Sequence, residues 1–219
     1  MGRVAILGGT FDPVHWGHLV LAETALSQLG LERVIWVPVQ RPPHKRCSDY
    51  EHRRLMVEIA IAENSAFVLE ERKTSQSEPD YAIGTLADLQ NTYPNQQWFW
   101  IIGLDAFGTL PRWYGRERLI PACDWVVAPR ALPNRVATAV FSTSASVQLE
   151  TDTQSRELCE QVAKQLDSQN ILIRWQLLPM APVGISSSLI RQYCRQRRSI
   201  RYLVPEGVRA YIAAHNLYG

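Results

Sequence analysis

The run Gly8-Gly9-Thr10-Phe11-Asp12-Pro13-Val14-His15-Trp16-Gly17-His18 follows the apolar segment Val4-Ala5-Ile6-Leu7 and leads into a stretch with helical periodicity. This order predicts a strand, a glycine turn and the start of a helix. Glycine permits a positive φ and a close approach of the backbone to a ligand, and the free N–H groups at a helix N-terminus attract anions. The segment therefore predicts a phosphate site.

Two histidines belong to the same segment. His15 and His18 are three residues apart, so a helix that begins near Val14 puts both rings on one face, over its electropositive end. There they would present two cationic or hydrogen-bond-donating imidazoles to a bound phosphate. The alternative is a metal pair with Asp12 as a third ligand, which predicts zinc or manganese retained through purification.

The glycine pattern differs from the two commonest nucleotide-binding motifs. No Gly-Lys-Ser/Thr follows, as a Walker loop requires, and the glycine spacing is not that of the dinucleotide fingerprint. The segment instead resembles the GxFxPxHxGH signature of the nucleotidyltransferase superfamily, which is related to the HIGH motif of class I aminoacyl-tRNA synthetases. The resemblance implies that His15 and His18 are catalytic, and that ATP is contacted by His18 together with Gly8, Gly9, Thr10 and Phe11.

A second phosphate site is predicted at Gly184-Ile185-Ser186-Ser187-Ser188-Leu189-Ile190-Arg191. Serine is a preferred N-cap, and Arg191, one turn past Ser187, returns to the same side of the helix. The alternative is an ordinary capped helix with a surface arginine. The segment resembles the ISSTxIR motif that holds the ATP phosphates in the same superfamily, with Ser188 where threonine is usual. The resemblance implies ATP contacts by Ile185, Ser186, Ser187, Ser188 and Arg191.

Three further segments narrow the family. They are the loop Val37-Pro38-Val39-Gln40-Arg41-Pro42-Pro43-His44-Lys45, the strand end Ile101-Ile102-Gly103-Leu104-Asp105 with the later Trp113, and the C-terminal residues 202–212 and 216–218. In this combination the chain resembles the bacterial nicotinate-nucleotide adenylyltransferases over nearly its whole length, least over about 131–180. The resemblance implies transfer of the adenylyl group of ATP to nicotinate mononucleotide in NAD biosynthesis, giving nicotinate adenine dinucleotide and pyrophosphate.

The same resemblance implies further site residues. Gly103 and Asp105 would contact ATP, with Asp105 accepting from a ribose hydroxyl. Magnesium would arrive on the ATP phosphates rather than in a protein cage. The mononucleotide would be bound by His44, Lys45, Tyr81, Thr85, Trp113 and Arg130. For Trp113, stacking on the pyridine ring and packing in the core are alternatives.

One segment departs from the family pattern, which reads Ser-Tyr-Thr-x-Asp-Thr-Leu. This chain has Asp80-Tyr81-Ala82-Ile83-Gly84-Thr85-Leu86, so aspartate, alanine and glycine replace the serine, the first threonine and the aspartate. The preference for the acid over the amide mononucleotide is therefore open. Two other functions stay open as alternatives, phosphopantetheine adenylyl transfer and non-catalytic nucleotide binding, although phosphopantetheine adenylyltransferases are usually shorter and lack the Pro-Pro-His-Lys loop.

Apolar, β-rich runs at 4–7, 34–39, 66–69, 98–102 and 124–128 alternate with helix-like stretches at about 17–29, 52–63, 82–91 and 105–120. This alternation predicts a doubly wound, Rossmann-like α/β fold, a parallel sheet with helices on both faces. Ligands of such sheets bind beyond the carboxyl ends of the strands, where the strand order reverses. We expect that crevice to contain Thr10, Lys45, Asp105 and Arg130.

The C-terminal third is predicted in less detail. An amphipathic helix is expected at 153–168, a last strand at 171–178, and helices after Ser186 and after Pro205, whereas 131–150 shows no clear period. At 219 residues and 46% hydrophobic content, we expect one domain, 1–219, of which about 186–219 is a helical extension. Trp98 and Trp100 are expected to pack in the core.

Charge and cysteine content limit the partners. A net charge of only +2 argues against polynucleotide binding by the surface as a whole. The basic residues at 41–54 and 191–201, Arg53 among them, are interpreted as solvated, except Lys45 and Arg191. The four cysteines show no Cys-x-x-Cys spacing and are expected to be reduced thiols. Because no apolar run has membrane-spanning length, we expect a cytoplasmic protein without a membrane partner; homo-oligomerisation is left open.

Overall fold

The structure, a computed structural model, describes residues 2–42, 46–71, 80–129, 144–181 and 183–219, with only the backbone described for 144–151. Within these residues, six parallel strands form one sheet. In chain order they are β1 (Gly2–Gly9), β2 (Arg33–Pro38), β3 (Phe67–Leu69), β4 (Gln96–Gly103), β5 (Asp124–Ala128) and β6 (Arg174–Leu177).

The strands lie in the order β3-β2-β1-β4-β5-β6. The chain moves outward from β1 to β3 on one side and then from β4 to β6 on the other, so the direction reverses between β1 and β4. This confirms the predicted doubly wound α/β fold. The crevice expected at such a reversal lies beyond Gly9 and Gly103, where these two strands end.

Helices cover both faces of the sheet. They are α1 (Trp16–Gln28), α2 (Tyr50–Ile61), α3 (Ala82–Thr92), α4 (Leu104–Phe107), α5 (Arg116–Leu119), α6 (Ser144–Asp167), α7 (Ser187–Arg195) and α8 (Glu206–Ala214). One buried cluster joins the sheet to α1, α2, α7 and α8, and a second joins it to α3, α4, α5 and α6. Helices on both faces explain why the strands are continuous apolar runs rather than alternating ones.

Successive strand residues divide between the two clusters. Ala5 belongs to the first cluster and Ile6 to the second, because neighbouring side chains of a strand point to opposite faces. Trp98 and Trp100 are each 5% exposed and lie in the second cluster. Their predicted packing role is confirmed.

The expected helix at 105–120 is wrong. The segment breaks into α4, a 3-10 turn at Leu110–Arg112, α5 and a second 3-10 turn at Ile120–Ala122. Both turns begin around prolines, Pro111 and Pro121, which cannot donate the N–H that a helix interior requires. Gly115 takes a left-handed φ of 68° and separates α5 from the turn before it.

Other differences are of length. The last strand covers only Arg174–Leu177 of the expected 171–178, and α6 begins at Ser144 rather than 153. Residues 144–150 of the unassigned stretch are thus helical, and 131–143 lie outside the described residues. α7 and α8 fall within 186–219, although the division into a domain and an extension stays a prediction. All four cysteines are free, as expected, and no described helix is long and apolar enough to span a membrane.

Candidate active site

The first motif forms a turn between β1 and α1, with His15 as the N-cap of α1. Phe11 has a φ of 50°, which is unusual for a residue with a side chain and is characteristic of functional turns. Its ring is buried and lies 5.4 Å from the Trp36 ring, centre to centre. A Cβ on Gly9 would be 2.9 Å from that ring. Glycine at this position therefore allows the turn to close.

The two histidines stack on each other, with ring centres 3.7 Å apart and planes at 25°. The expectation that both rings share one face is confirmed. A Cβ on Gly17 would lie 3.0 Å from the His15 ring, so this glycine makes room for the stack. His18 Nδ1 accepts a hydrogen bond from the His15 backbone N–H at 3.2 Å. The proton of a neutral His18 is therefore on Nε2, which makes that atom a donor.

Burial determines the charge of this pair. It lowers the pKa of His15 to about 4. It also lowers the pKa of His18 well below its ordinary value, where the neighbouring His15 adds a repulsive contribution. Both imidazoles are therefore neutral near pH 7. The sequence left open whether the imidazoles are cations or neutral hydrogen-bond donors, and the structure supports neutral donors.

A cavity of about 440 Å³ lies beside this turn. It brings the first motif together with the second, although some 170 residues separate them in the sequence. Its lining residues are Thr10, Phe11, Asp12, His18, Arg46, Cys47, Ser187, Ser188 and Arg191. Neither Arg46 nor Cys47 was expected here from the sequence; their only signal is that they follow Lys45 in the same loop.

The second motif is tied to the first by hydrogen bonds. Ser186 is the N-cap of α7 and accepts from Leu189 N–H at 3.2 Å, and the Ser187 hydroxyl donates to the Pro13 carbonyl at 2.8 Å. Arg191 Nη2 donates to Ser188 Oγ at 3.2 Å. These hydroxyls thus bind protein groups. The first-turn N–H groups of α7 and the Arg191 guanidinium are the donors that suit a phosphate.

Asp12 lies between these elements and is 3% exposed. Its carbonyl accepts from Arg191 Nη1 at 2.6 Å, and its Oδ1 accepts from the Tyr218 hydroxyl at 2.8 Å and from Ser48 N–H at 3.3 Å. Among the residues that the structure describes, no three His, Cys, Asp or Glu side chains are placed to hold a metal ion. Asp12, His15 and His18 therefore do not form the alternative metal triad.

Arg53 corrects an interpretation from the sequence. The sequence predicts a solvated side chain, whereas Arg53 is fully buried. Its guanidinium donates to four carbonyls at 2.7 to 3.0 Å, those of Thr10, Val39, Gln40 and Ser48. It therefore joins the turn after β1 to the loop after β2. The signal was its spacing from Met56 and Val57, which places Arg53 on the buried face of α2.

The remaining predicted ATP residues are not among those that line the cavity. Gly8 and Gly9 end β1 and Gly103 ends β4, while Asp105 is exposed in the first turn of α4. Ile185 and Ser186 precede α7, and His15 lies behind His18. Among the predicted mononucleotide residues, His44, Lys45 and Arg130 lie outside the described residues.

The described mononucleotide residues form a separate group. Tyr81 precedes α3 and stacks on Tyr114 at 4.3 Å between ring centres, while Thr85 is 8% exposed. Trp113 donates from Nε1 to Thr109 Oγ1 at 2.8 Å and its ring packs edge-on against two core tryptophans. The packing alternative for Trp113 is thus observed, and stacking on a pyridine ring stays a prediction.

Asp80, the first residue of the segment that differs from the family pattern, binds the loop after β2. Its Oδ2 accepts from the backbone N–H of Gln40 at 2.6 Å and of Arg41 at 3.2 Å. The carboxylate therefore holds the loop that leads to Pro42 and onward to Lys45.

Comparison with known proteins agrees with this geometry. The cytidylyltransferase-like family model matches residues 6–193. A probable nicotinate-nucleotide adenylyltransferase from Nostoc sp. is 49% identical, over 100% of this chain and 98% of the relative. Another, from Geobacter sulfurreducens, is 35% identical over 99% of this chain and 98% of that relative.

Solved structures agree in fold. The Plasmodium falciparum nicotinic acid mononucleotide adenylyltransferase complexed with NaAD superposes with a TM-score of 0.72 at 19% identity, over 100% of this chain and 98% of that one. The same protein complexed with APC superposes with a TM-score of 0.70 at 18% identity, with the same coverage of both chains. With the family model and the full-length relatives, the chain belongs to the cytidylyltransferase-like family and, within it, to the nicotinate-nucleotide adenylyltransferases.

Proposed function

We propose that the protein transfers the adenylyl group of ATP to nicotinate mononucleotide, releasing pyrophosphate and forming nicotinate adenine dinucleotide. The observation that carries this proposal is that residues of both predicted phosphate motifs line one cavity. They are Thr10, Phe11, His18, Ser187, Ser188 and Arg191. The family supplies the identity of the acceptor, since its members are named for nicotinate nucleotide.

In the proposed reaction the 5′-phosphate oxygen of the mononucleotide attacks the α-phosphorus of ATP in line, and the bond to the pyrophosphate breaks. The protein contributes position and charge stabilisation rather than a nucleophile. His18 donates from Nε2 to an α-phosphoryl oxygen as negative charge grows there. His15 supports the His18 ring by stacking and by its backbone N–H.

The pyrophosphate is held from two sides. Thr10 and the backbone of Gly9 and Phe11 bind phosphate oxygens from the β1 side, and the N-terminus of α7 with Arg191 binds them from the other. Magnesium enters as part of the substrate, MgATP, because the triphosphate itself supplies oxygen ligands. On this proposal, chelating magnesium stops turnover and adding it back restores turnover.

The other predicted residues complete the site. Gly8, Gly103, Ile185 and Ser186 also contact ATP, and Asp105 accepts from a ribose hydroxyl. His44 and Lys45 neutralise the attacking phosphate. The rest of the mononucleotide is bound by Tyr81, Thr85, Trp113 and Arg130. A cytoplasmic location and homo-oligomerisation stay predictions.

The test is pyrophosphate release measured with MgATP and each candidate acceptor, paired with two arginine variants of α7. We expect release to require nicotinate mononucleotide, and Arg191→Ala to raise KM for ATP by roughly 10- to 100-fold, the value of a charge-assisted contact. Arg195→Ala, at the exposed end of the same helix, should leave KM unchanged. ATP binding without release would make the protein a non-catalytic binder, and release with phosphopantetheine alone would assign a different acceptor.

A further inference from the structure

A tyrosine from the C-terminal segment reaches the first motif. The Tyr218 hydroxyl donates to Asp12 Oδ1 at 2.8 Å, across 206 residues of sequence. After α8 the chain turns back on itself, with left-handed φ values of 48° at Asn216 and 68° at Tyr218. Leu217 and Tyr218 then pack against the buried cluster that supports α1 and α7. The segment 216–218 is therefore held against the site.

Asp12 links this tyrosine to the phosphate-binding arginine. Asp12 Oδ2 lies 3.7 Å from Arg191 Nη1, while the Asp12 carbonyl accepts from the same nitrogen at 2.6 Å. The other carboxylate oxygen is bound by Tyr218 and by Ser48 N–H. These bonds keep the carboxylate from turning fully toward Arg191. A closer pair would neutralise the guanidinium and compete with a phosphate for its charge.

The tyrosine is suited to remain a donor. Burial is the main cause that raises the pKa of Tyr218 above its ordinary value, and the nearby Asp12 carboxylate raises it further. The hydroxyl therefore keeps its proton near neutral pH. As a donor, it holds the carboxylate in one orientation.

We infer that Tyr218 is a positioning residue of the ATP site, which orients Asp12 so that Arg191 presents its charge to the pyrophosphate portion of ATP. The inference rests on the proposed function. Tyr218 is not among the residues that line the cavity, so it acts through Asp12 rather than by touching the nucleotide. It would make the segment after α8 part of the nucleotide site.

The experiment compares Tyr218→Phe with Tyr211→Phe, in the full chain and in an Arg191→Ala background. Both variants remove one hydroxyl, but Tyr211 bonds to His52 Nδ1 of α2 at 2.9 Å rather than to Asp12. Calorimetry measures binding of pyrophosphate and of a non-hydrolysable ATP analogue, and steady-state kinetics measures KM for each substrate. We expect Tyr218→Phe to weaken both ligands by about three- to tenfold, the worth of one hydrogen bond.

The same variant should leave kcat and KM for the mononucleotide unchanged, and the loss should vanish in the Arg191→Ala background, where no charge is left at position 191. Tyr211→Phe should bind as the parent does. Parent-like binding by Tyr218→Phe would overturn the inference. So would an equal loss for both substrates, or a loss that persists without Arg191, since a purely structural role predicts those results. Because binding is measured directly, a parent that binds ATP but transfers no adenylyl group would refute the proposed function and leave this comparison intact.

Discussion

In the proposed site, the phosphate side, formed by the two motifs, and the acceptor side, at Tyr81 and Tyr114, are built differently. On the phosphate side, side chains from distant segments are bound to one another, as Arg191 and Ser187 are to the turn after β1, and Asp12 and His15 are buried. On the acceptor side, Tyr81 and Tyr114 stack on each other and are 42% and 65% exposed.

The difference indicates how the two substrates are recognised. A triphosphate needs fixed donors at fixed positions, because charge stabilisation is strongest when the donors need no rearrangement. A pyridine ring presents a flat apolar face and one polar substituent, so exposed aromatic rings and a few hydrogen bonds suffice. We therefore expect substitutions on the phosphate side to affect folding and turnover strongly, and those on the acceptor side to affect mainly the choice of substrate.

The largest effect is expected at Arg53, which joins the turn after β1 to the loop after β2. Replacing it by Met leaves four carbonyls without their donor, and each buried acceptor left unsatisfied costs about 1–3 kcal/mol, so the free energy of unfolding should fall by about 3–5 kcal/mol. Arg54→Met is the matched control, because Arg54 makes surface pairs with Glu51 and Glu58 that are worth a few tenths of a kcal/mol each. Urea unfolding measures both variants.

Similar losses for the two neighbours would show that the four carbonyls bind water instead, and that Arg53 does not hold the turn and the loop together. If Arg53→Met does not fold, Arg53→Lys replaces it, because lysine keeps the charge but cannot reach all four carbonyls. Arg53→Lys should then be clearly less stable than both the parent and Arg54→Met.

The second effect concerns His18. Removing one donor to the transition state costs roughly 2.7–4 kcal/mol, so His18→Ala should lower kcat by two to three orders of magnitude with a much smaller change in ATP affinity. His18→Asn, which keeps an N–H donor, should lose less. Since burial lowers the pKa of His18, the parent's kcat should stay level as pH rises through the ordinary histidine range. A fall there would mean that a cationic imidazole is required.

The third effect is on stability in acid. His15 is neutral in the folded state until about pH 4, whereas in the unfolded chain it takes up a proton near 6.5. Between these values the unfolded state binds more protons, so stability falls as the pH falls, by about 3 kcal/mol for this group. The stability of the parent minus that of His15→Asn should drop by that amount between neutral pH and about pH 4. His215→Asn, at an exposed histidine, provides the baseline, and a pH-independent difference would mean that His15 is not buried as a neutral group.

These cases also separate what the sequence could predict from what it could not. The strand, turn and helix around Gly9 and His15 are contiguous, so local periodicity and turn chemistry were enough. The parallel order of the strands followed from their alternation with helices. That the His15 and His18 rings share one face followed from their three-residue spacing. In each case the signal is a local pattern in the sequence.

The rest depends on contacts between distant segments. The hydrogen bond from Tyr218 to Asp12 could not be predicted, because nothing in either segment indicates that the other lies beside it. The neutral state of His15 follows from burial, which the spacing of two histidines does not reveal. The break within 105–120 could have been predicted from Pro111 and Gly115, because both residue types disfavour a helix interior. Arg53 could have been found from its spacing to the buried Met56 and Val57, whereas the neighbouring Arg54 pairs with Glu51 and Glu58.

The smallest effect is expected on the acceptor side, at the segment that departs from the family. Asp80 holds the backbone of Gln40 and Arg41, and Ala82 and Gly84 occupy the first turn of α3. The substituent of the pyridine ring must then be recognised mostly by backbone N–H groups and by Tyr81 and Trp113. An anion accepts stronger hydrogen bonds than a neutral amide, so nicotinate mononucleotide should still be preferred, by a narrower margin than in relatives with the full motif.

The measurement is kcat/KM for the acid and the amide mononucleotides, on the parent and on Ala82→Thr combined with Gly84→Asp. One regained charge-assisted hydrogen bond of about 1.4 kcal/mol would raise the ratio roughly tenfold. A carboxylate at position 84 also suits the N-terminus of α3, so the double variant should fold. Ala87→Thr, on an exposed position of the same helix, controls for added threonine and should leave the ratio unchanged. If the parent prefers the amide, the acceptor assignment changes to nicotinamide mononucleotide. The phosphate side would keep its role, because adenylyl transfer from ATP is the same for both acceptors.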